Sequence, residues 1–314
     1  MILEEKIHIL CATDNNYASQ CGIMLTSVLY NNPDIDVYVL VSSPLSARNL
    51  RRFNELQRIF KTDIYFITVS EDLFSNMPAG YRKLSMTTYF RLCAAQILPQ
   101  KINRCLYLDC DIIVNGSLQE LWNTNLNNHS AAVVSDVWCQ RMDIYERLGY
   151  NPKLKYFNAG MLLINLDYWR RHNLQDKFFD YIRQNKDIIE AHDQDVLNVI
   201  LADSKVHVSL KWNFEIVGYA KQYYESFPLD VQNQITGLQP TIIHYCGTII
   251  RPWMLDYYNY PFAQLWMQYK RKSPWRWQVY HFCNKRHLTR KIVKRFVLWP
   301  LGYKKSTECE FITL

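Results

Sequence analysis

Leu106-Tyr107-Leu108-Asp109-Cys110-Asp111-Ile112-Ile113-Val114 is a hydrophobic run with two carboxylates cut into it. In an extended strand, residues i and i+2 share a face, so Asp109 and Asp111 are expected to converge at the end of a buried strand. Two bare carboxylates that close repel, and burying them is unfavourable unless a cation sits between them. A divalent cation meets that requirement, so Asp-x-Asp feeding the turn Asn115-Gly116-Ser117 reads as a hard-metal site. For an isolated triplet, a solvated strand-end turn is the alternative.

Outward from this run, the N-terminal part alternates strand and helix. Ile7–Ala12 reads as a buried parallel strand, followed by the turn Thr13-Asp14-Asn15-Asn16 and a helix from about Tyr17 to Tyr30. Strands are expected at Asp36–Ser42 and Asp63–Val69, with an amphipathic helix over Leu45–Phe60 between them. A helix over Thr87–Leu98 precedes a central strand spanning Arg104–Val114. Beyond it come a strand at Ala131–Asp136, an apolar run opening at Asn158, helices at Tyr168–Arg183 and Gln194–Ala202, and a late strand at Thr241–Tyr245. The pattern predicts an α/β fold with a mostly parallel sheet covered on both faces. Ligands of such sheets bind at the carboxyl ends of the strands. Asp14, Asp109, Asp111, Asn158 and His244 all fall at or beside predicted strand ends or starts.

Composition narrows the chemistry. The nine glycines lie far apart, which excludes Gly-x-Gly-x-x-Gly and Walker-type phosphate loops. The nine cysteines include no Cys-x-x-Cys pair, and several sit in apolar runs; this fits reduced, buried thiols of a cytosolic protein. The start, Met1-Ile2-Leu3-Glu4-Glu5-Lys6, has no long apolar core and does not read as a signal peptide. No stretch is apolar enough to span a membrane. The net charge of +7 is uneven: from Lys270 onward, twelve Lys/Arg face two acids, Glu308 and Glu310. Residues 1–255 read as one catalytic domain and 256–314 as a basic, aromatic-rich extension.

Six segments, in order, resemble glycosyltransferase family 8, the retaining enzymes that include bacterial lipopolysaccharide galactosyl- and glucosyltransferases, glycogenin and galactinol synthase. They are Ala12-Thr13-Asp14-Asn15-Asn16-Tyr17, Thr88-Tyr89-Phe90-Arg91-Leu92, Tyr107-Leu108-Asp109-Cys110-Asp111, Phe157-Asn158-Ala159-Gly160, Asp193-Gln194-Asp195, and His244-Tyr245-Cys246-Gly247 with Arg251-Pro252-Trp253. The resemblance, closest to the lipopolysaccharide-type members, runs from about Ile7 to Trp253. It implies a GT-A (Rossmann-like) fold, a UDP-sugar donor and Mn2+, with Mg2+ as the alternative ion. Asp109, Asp111 and His244 would ligate the metal. Asp14 and Asn16 would contact uracil and ribose or phosphate, with Ala12 contributing backbone; helix capping by Asp14 or Asn15 is the alternative. Arg91 would reach donor sugar and diphosphate, or serve as a structural ion pair. Asn158, Ala159, Asp193 and Gln194 would line the donor sugar, Gln194 near the anomeric carbon. Cys110, Gly247 and Arg251 complete the implied set. Arg251 departs from the family's closing Lys-Pro-Trp: it is Arg, and it follows Gly247 by one residue more. The amide of Gln194 is a poor nucleophile, so front-face attack is expected rather than a covalent intermediate.

The extension reads differently. No acid lies between Tyr257 and Thr307. On a helical wheel Leu288, Ile292, Phe296 and Trp299 form one stripe, with Arg290, Lys291, Lys294 and Arg295 mostly opposite. Such a basic amphipathic helix reads as an anchor on anionic lipid, which predicts a peripheral enzyme on the inner face of the cytoplasmic membrane. Packing on the catalytic domain is the alternative, and no recognition fold supports nucleic acid. The expected activity is transfer of an α-linked glucose or galactose onto a lipopolysaccharide-core or related glycan. The alternatives are a glycogenin-like or other non-lipid acceptor, or an inactive sugar-nucleotide-binding protein.

Overall fold

The computed structural model describes residues 6–74, 86–138, 143–246, 251–253 and 262–278. Among the described residues, ten strands form two sheets: β1 (Ile7–Ala12), β2 (Ile35–Val41), β3 (Ile64–Thr68), β4 (Arg104–Leu108), β5 (Ile112–Val114), β6 (Ala131–Ser135), β7 (Phe157–Asn165), β8 (Lys205–His207), β9 (Phe214–Glu215) and β10 (Ile242–His244). The larger sheet has the order β3-β2-β1-β4-β7-β6-β8, and the smaller one β5-β10-β9. β3, β2, β1 and β4 are mutually parallel, β7 runs antiparallel to β4 and β6, and β8 is parallel to β6. This is the expected mixed, mostly parallel sheet flanked by helices. Strand order reverses around β1, so a crevice opens between the carboxyl ends of β1 and β4.

The first helix, α1 (Ala18–Asn31), is buried all round from Ala18 to Leu29, its polar Ser19, Gln20, Thr26 and Ser27 included. It lies between the sheet and the helix Ala263–Lys272, whose Trp266 and Tyr269 join the same core. The second, α2 (Ala47–Phe60), is amphipathic, with Phe53 and Leu56 fully buried. Its start is capped by Ser46, whose Oγ accepts from the Asn49 N–H at 3.3 Å. Trp275 packs into this layer, with its ring 4.9 Å from Phe53 and against Gly22, where a Cβ would stand 2.1 Å from the indole. The folded layer thus includes residues up to Gln278; the amphipathic stripe expected at Leu288–Trp299 lies outside the described residues. Among the described residues no helix is long and apolar enough to cross a membrane. Cys11, Cys21, Cys93, Cys105 and Cys110 are free and buried, and Cys246 is free and half-buried.

Three expected elements differ. The strand drawn through Arg104–Val114 is two strands in two sheets, broken at Asp109-Cys110-Asp111. The Asp109 N–H still donates to the Gly160 carbonyl, extending the β4–β7 ladder, but β5 then pairs with β10. The aspartates therefore converge through a turn, not through strand alternation. The Thr87–Leu98 helix is mostly a 3-10 helix, Met86–Cys93, followed by a short α-turn at Ala94–Ile97. The Tyr168–Arg183 helix is two, Leu166–Arg171 and Leu174–Gln184, separated at Asn173 with φ +49°. Asparagine tolerates the left-handed region, and the break lets Trp169 and Phe178 stack edge-on at 5.0 Å in one core.

Candidate active site

The carboxylates of Asp109 and Asp111 meet the His244 imidazole because β10 pairs antiparallel to β5, placing His244 opposite Ile112. The Tyr245 N–H donates to the Asp111 carbonyl at 2.9 Å and locks that register. One ligand atom from each of the three residues lies within 4.8 Å of the others. His244 Nε2 stands 3.2 Å from Asp111 Oδ1 and 3.9 Å from Asp109 Oδ2. Nδ1 is 3.0 Å from Asn213 Oδ1, an acceptor that holds the proton on Nδ1 and aims Nε2 at the carboxylates. Asn213 donates in turn to Asn158 Oδ1 at 2.9 Å. A Cβ on Gly160 would fall 2.2 Å from His244 Cε1, so the imidazole occupies the space a side chain would take.

Electrostatics agree with a cation site. Burial opposes charge on His244, but the Asp111 and Asp109 carboxylates outweigh it and raise the imidazole pKa. Burial likewise opposes ionisation of Asp111, yet His244 and Arg251 hold its pKa down. Two carboxylates plus an oriented imidazole suit a hard or borderline divalent ion such as Mn2+ or Mg2+. Arg251 thus acts on Asp111 through its charge despite its displaced position in sequence. Its guanidinium touches the Tyr17 hydroxyl and stands 5.5 Å from the Trp253 ring centroid. Gly247 lies outside the described residues.

Beside the trio, Arg91 is buried between two acids. Its Nη2 bonds Asp109 Oδ1 at 2.9 Å, and its Nε is 2.9 Å from Asp193 Oδ2. The guanidinium also covers the Tyr107 ring at 4.1 Å. The Nε–H is directed at the Thr88 carbonyl, so Asp193 Oδ2 has the charge contact but accepts no hydrogen bond among the described residues. Thr88 Oγ1 donates to the other oxygen, Oδ1, at 2.5 Å. The 3-10 helix explains this pairing: side chains at i and i+3 eclipse, so Thr88 and Arg91 address one carboxylate. Burial dominates Asp193 and lifts its pKa to about 6, against the pull of Arg91 and Thr88.

Gln194 is held at both ends. Its Oε1 accepts from the Ala159 N–H at 2.9 Å, and its Nε2 donates to Asp136 Oδ2 at 3.0 Å. The neighbouring Asp195 is fully buried, bonded to Arg147, the Tyr156 hydroxyl and the N–H groups of Glu190 and Ala191. Asp14 Oδ1 accepts from the N–H groups of Asn16 and Tyr17 at 2.9 and 2.8 Å, closing the turn that leads into α1. Asn16 is exposed beside it. Cys110 Sγ donates to the Ala12 carbonyl at 3.1 Å, tying the β1 and β4 loops together. The structure thus brings Arg91, Asp109, Asp111, Asp193 and His244 into one cluster, with Asn158, Ala159 and Gln194 on its wall. Sequence reasoning missed Asn213, Asp136 and the cradle role of Gly160. Asn213 stands alone between Trp212 and Phe214, Asp136 follows Ser135 at a strand end, and neither carries a spacing signal.

Residues 8–256 match the model of glycosyl transferase family 8. The chain belongs to that family. Lipopolysaccharide 1,3-galactosyltransferase of Salmonella typhimurium is 28% identical over 308 residues, covering 91% of this chain and 88% of the relative. Lipopolysaccharide glucosyltransferase WaaO of Escherichia coli is 30% identical over 280 residues, covering 86% and 79%. A crystal structure of the galactosyltransferase LgtC with donor and acceptor sugar analogues superposes with a TM-score of 0.75 at 29% identity, covering 85% of this chain and 96% of that one. This family-8 member is a sugar-nucleotide-dependent glycosyltransferase with a possible Asp-Asp-His metal site.

Proposed function

We propose that the enzyme is a retaining hexosyltransferase moving glucose or galactose from a UDP-sugar onto a lipopolysaccharide-core or related glycan. The observation that carries the reading is the Asp109, Asp111 and His244 cluster abutting the Arg91–Asp193 pair at the strand-end crevice. A bound Mn2+ or Mg2+, held by those three residues, would supply Lewis-acid neutralisation of the diphosphate. The remaining roles belong to the chain. Arg91 lends positive charge to the donor side while holding Asp109 and Asp193 in place. Asp193 Oδ2, buried and without a hydrogen-bond donor among the described residues, would accept from sugar hydroxyls. Gln194, clamped at both ends of its amide, forms a fixed polar floor that cannot attack the anomeric carbon. The acceptor hydroxyl would then approach on the face from which UDP departs. The new C–O bond forms as the C1–phosphate oxygen bond breaks, and the acceptor proton passes to a phosphate oxygen. A glycosyl-enzyme trapped on Asp193 would overturn that order of events.

We further propose that the catalytic unit ends near Gln278 and that the basic chain beyond it meets anionic lipid, where lipid-linked acceptors reside. The decisive assay is UDP release from a panel of UDP-sugars with Mn2+ or EDTA, on wild type and Asp111→Asn. Turnover of one donor, abolished by EDTA and by the substitution, is the expected result. Absence of UDP binding would end the reading.

A further inference from the structure

The folded domain carries its own basic face, separate from the chain beyond Gln278. α2 with Lys61 holds five bases against one acid, Glu55. At 3.6 residues per turn, Arg48, Arg51, Arg52, Glu55, Arg58 and Ile59 share one arc, opposite the buried Phe53 and Leu56. The chain leaving the Ala263–Lys272 helix then crosses α2. Arg276 lies 3.7 Å from Glu55, so the only acid of the arc faces a base, and Arg52 donates to the Gln278 side chain at 2.9 Å. The helix end adds Lys270, Arg271 and Lys272 with no acid. Trp277, between two residues fastened to α2, is 83% exposed, and Ile59 on the arc is 47% exposed. An indole held in water amid arginines matches the interfacial zone of a bilayer, where tryptophan and basic side chains settle together. The face also adjoins the crevice: the Ser46 N–H at the start of α2 donates to Asn15 Oδ1 at 2.7 Å, in the loop that leaves β1.

We infer that the α2 arc with the Lys270–Gln278 segment docks on the anionic headgroup surface of a lipid bilayer, Trp277 inserting at the interface. The inference rests on the glycolipid-acceptor reading only for its purpose, since the charge and exposure stand without it. A bilayer against this face lies beside the donor loop, within reach of an acceptor anchored in lipid.

The test is co-sedimentation of the full chain with phosphatidylglycerol-containing vesicles and with pure phosphatidylcholine vesicles. Compared with wild type are Arg48→Glu/Arg51→Glu/Arg58→Glu, Trp277→Ala, and a tail variant, Arg290→Gln/Lys291→Gln/Lys294→Gln/Arg295→Gln. The triple reversal should lower partition onto anionic vesicles at least about tenfold, and Trp277→Ala should lower it several-fold, with UDP release toward a soluble acceptor unchanged. Reversal without effect, while the tail variant loses binding, would confine lipid contact to the tail and overturn the inference but not the tail reading. Reversal that leaves vesicle binding intact but speeds proteolysis of the tail would make the tail the occupant and overturn it too. A wild type that ignores anionic vesicles would remove both.

Discussion

At the residue scale, the centre depends on who orients whom. Asn213 touches no reacting group, yet its Oδ1 fixes the Nδ1 proton of His244. Asn213→Ala should weaken Mn2+ binding roughly 10- to 100-fold with the fold retained, measured by Mn2+ titration with electron paramagnetic resonance. Asp193 gives a pH signature. Its folded pKa, about 6, lies above the ordinary carboxylate value, so the folded state binds the proton more tightly than the unfolded one. Between about pH 4 and 6 the unfolded state holds fewer protons, so this group's stabilising contribution is present at low pH and lost as pH rises through 6. Wild type should lose roughly 2–3 kcal/mol relative to Asp193→Asn across that window, read from urea unfolding at each pH. A parallel pH dependence in the two proteins would disprove it. Arg91 stays charged throughout and adds no slope. Asp109 and Asp111 were legible because they announce charge in an apolar run, whereas Arg91, Asp193 and His244 stood out only through the resemblance to the family. Asn213 was not legible, because a neutral amide signals only through its partner.

At the element scale, the site is made by a sheet change. Extended alternation correctly predicts that Asp109 and Asp111 meet but assigns the wrong geometry. The run stays apolar on both sides of the turn, so periodicity alone cannot reveal that Ile112–Val114 joins another sheet. The new pairing brings β10 across, and Gly160 on β7 leaves room for its histidine. Gly160→Ala should displace His244, since its Cβ would stand 2.2 Å from Cε1. Loss of Mn2+-dependent UDP binding in calorimetry, with circular dichroism unchanged, is the expected outcome. Normal binding would show that the cradle is slack. The 3-10 helix was equally hidden: Thr87-Thr88-Tyr89 fits an α-helix by pattern, and the carboxylate that Thr88 and Arg91 share belongs to Asp193, over a hundred residues away.

At the scale of the whole molecule, the chain beyond the family match stays part of the fold. Trp275 fills the space above Gly22 and against Phe53, closing the α1–α2 layer. Trp275→Ala should cost about 3–5 kcal/mol, seen as a lowered thermal midpoint, while UDP affinity at low temperature persists. An unchanged midpoint would mean that the segment is not part of the cooperative unit. The order of strands and helices, the strand-end crevice and the meeting of Asp109 with Asp111 were determined by the sequence itself, because periodicity and charge are local properties. Which strands left the main sheet, how Asn213 orients His244 and where Arg251 stands were decided only by tertiary structure. Those features depend on pairings between residues distant in the chain, and no local pattern encodes a partner on another strand.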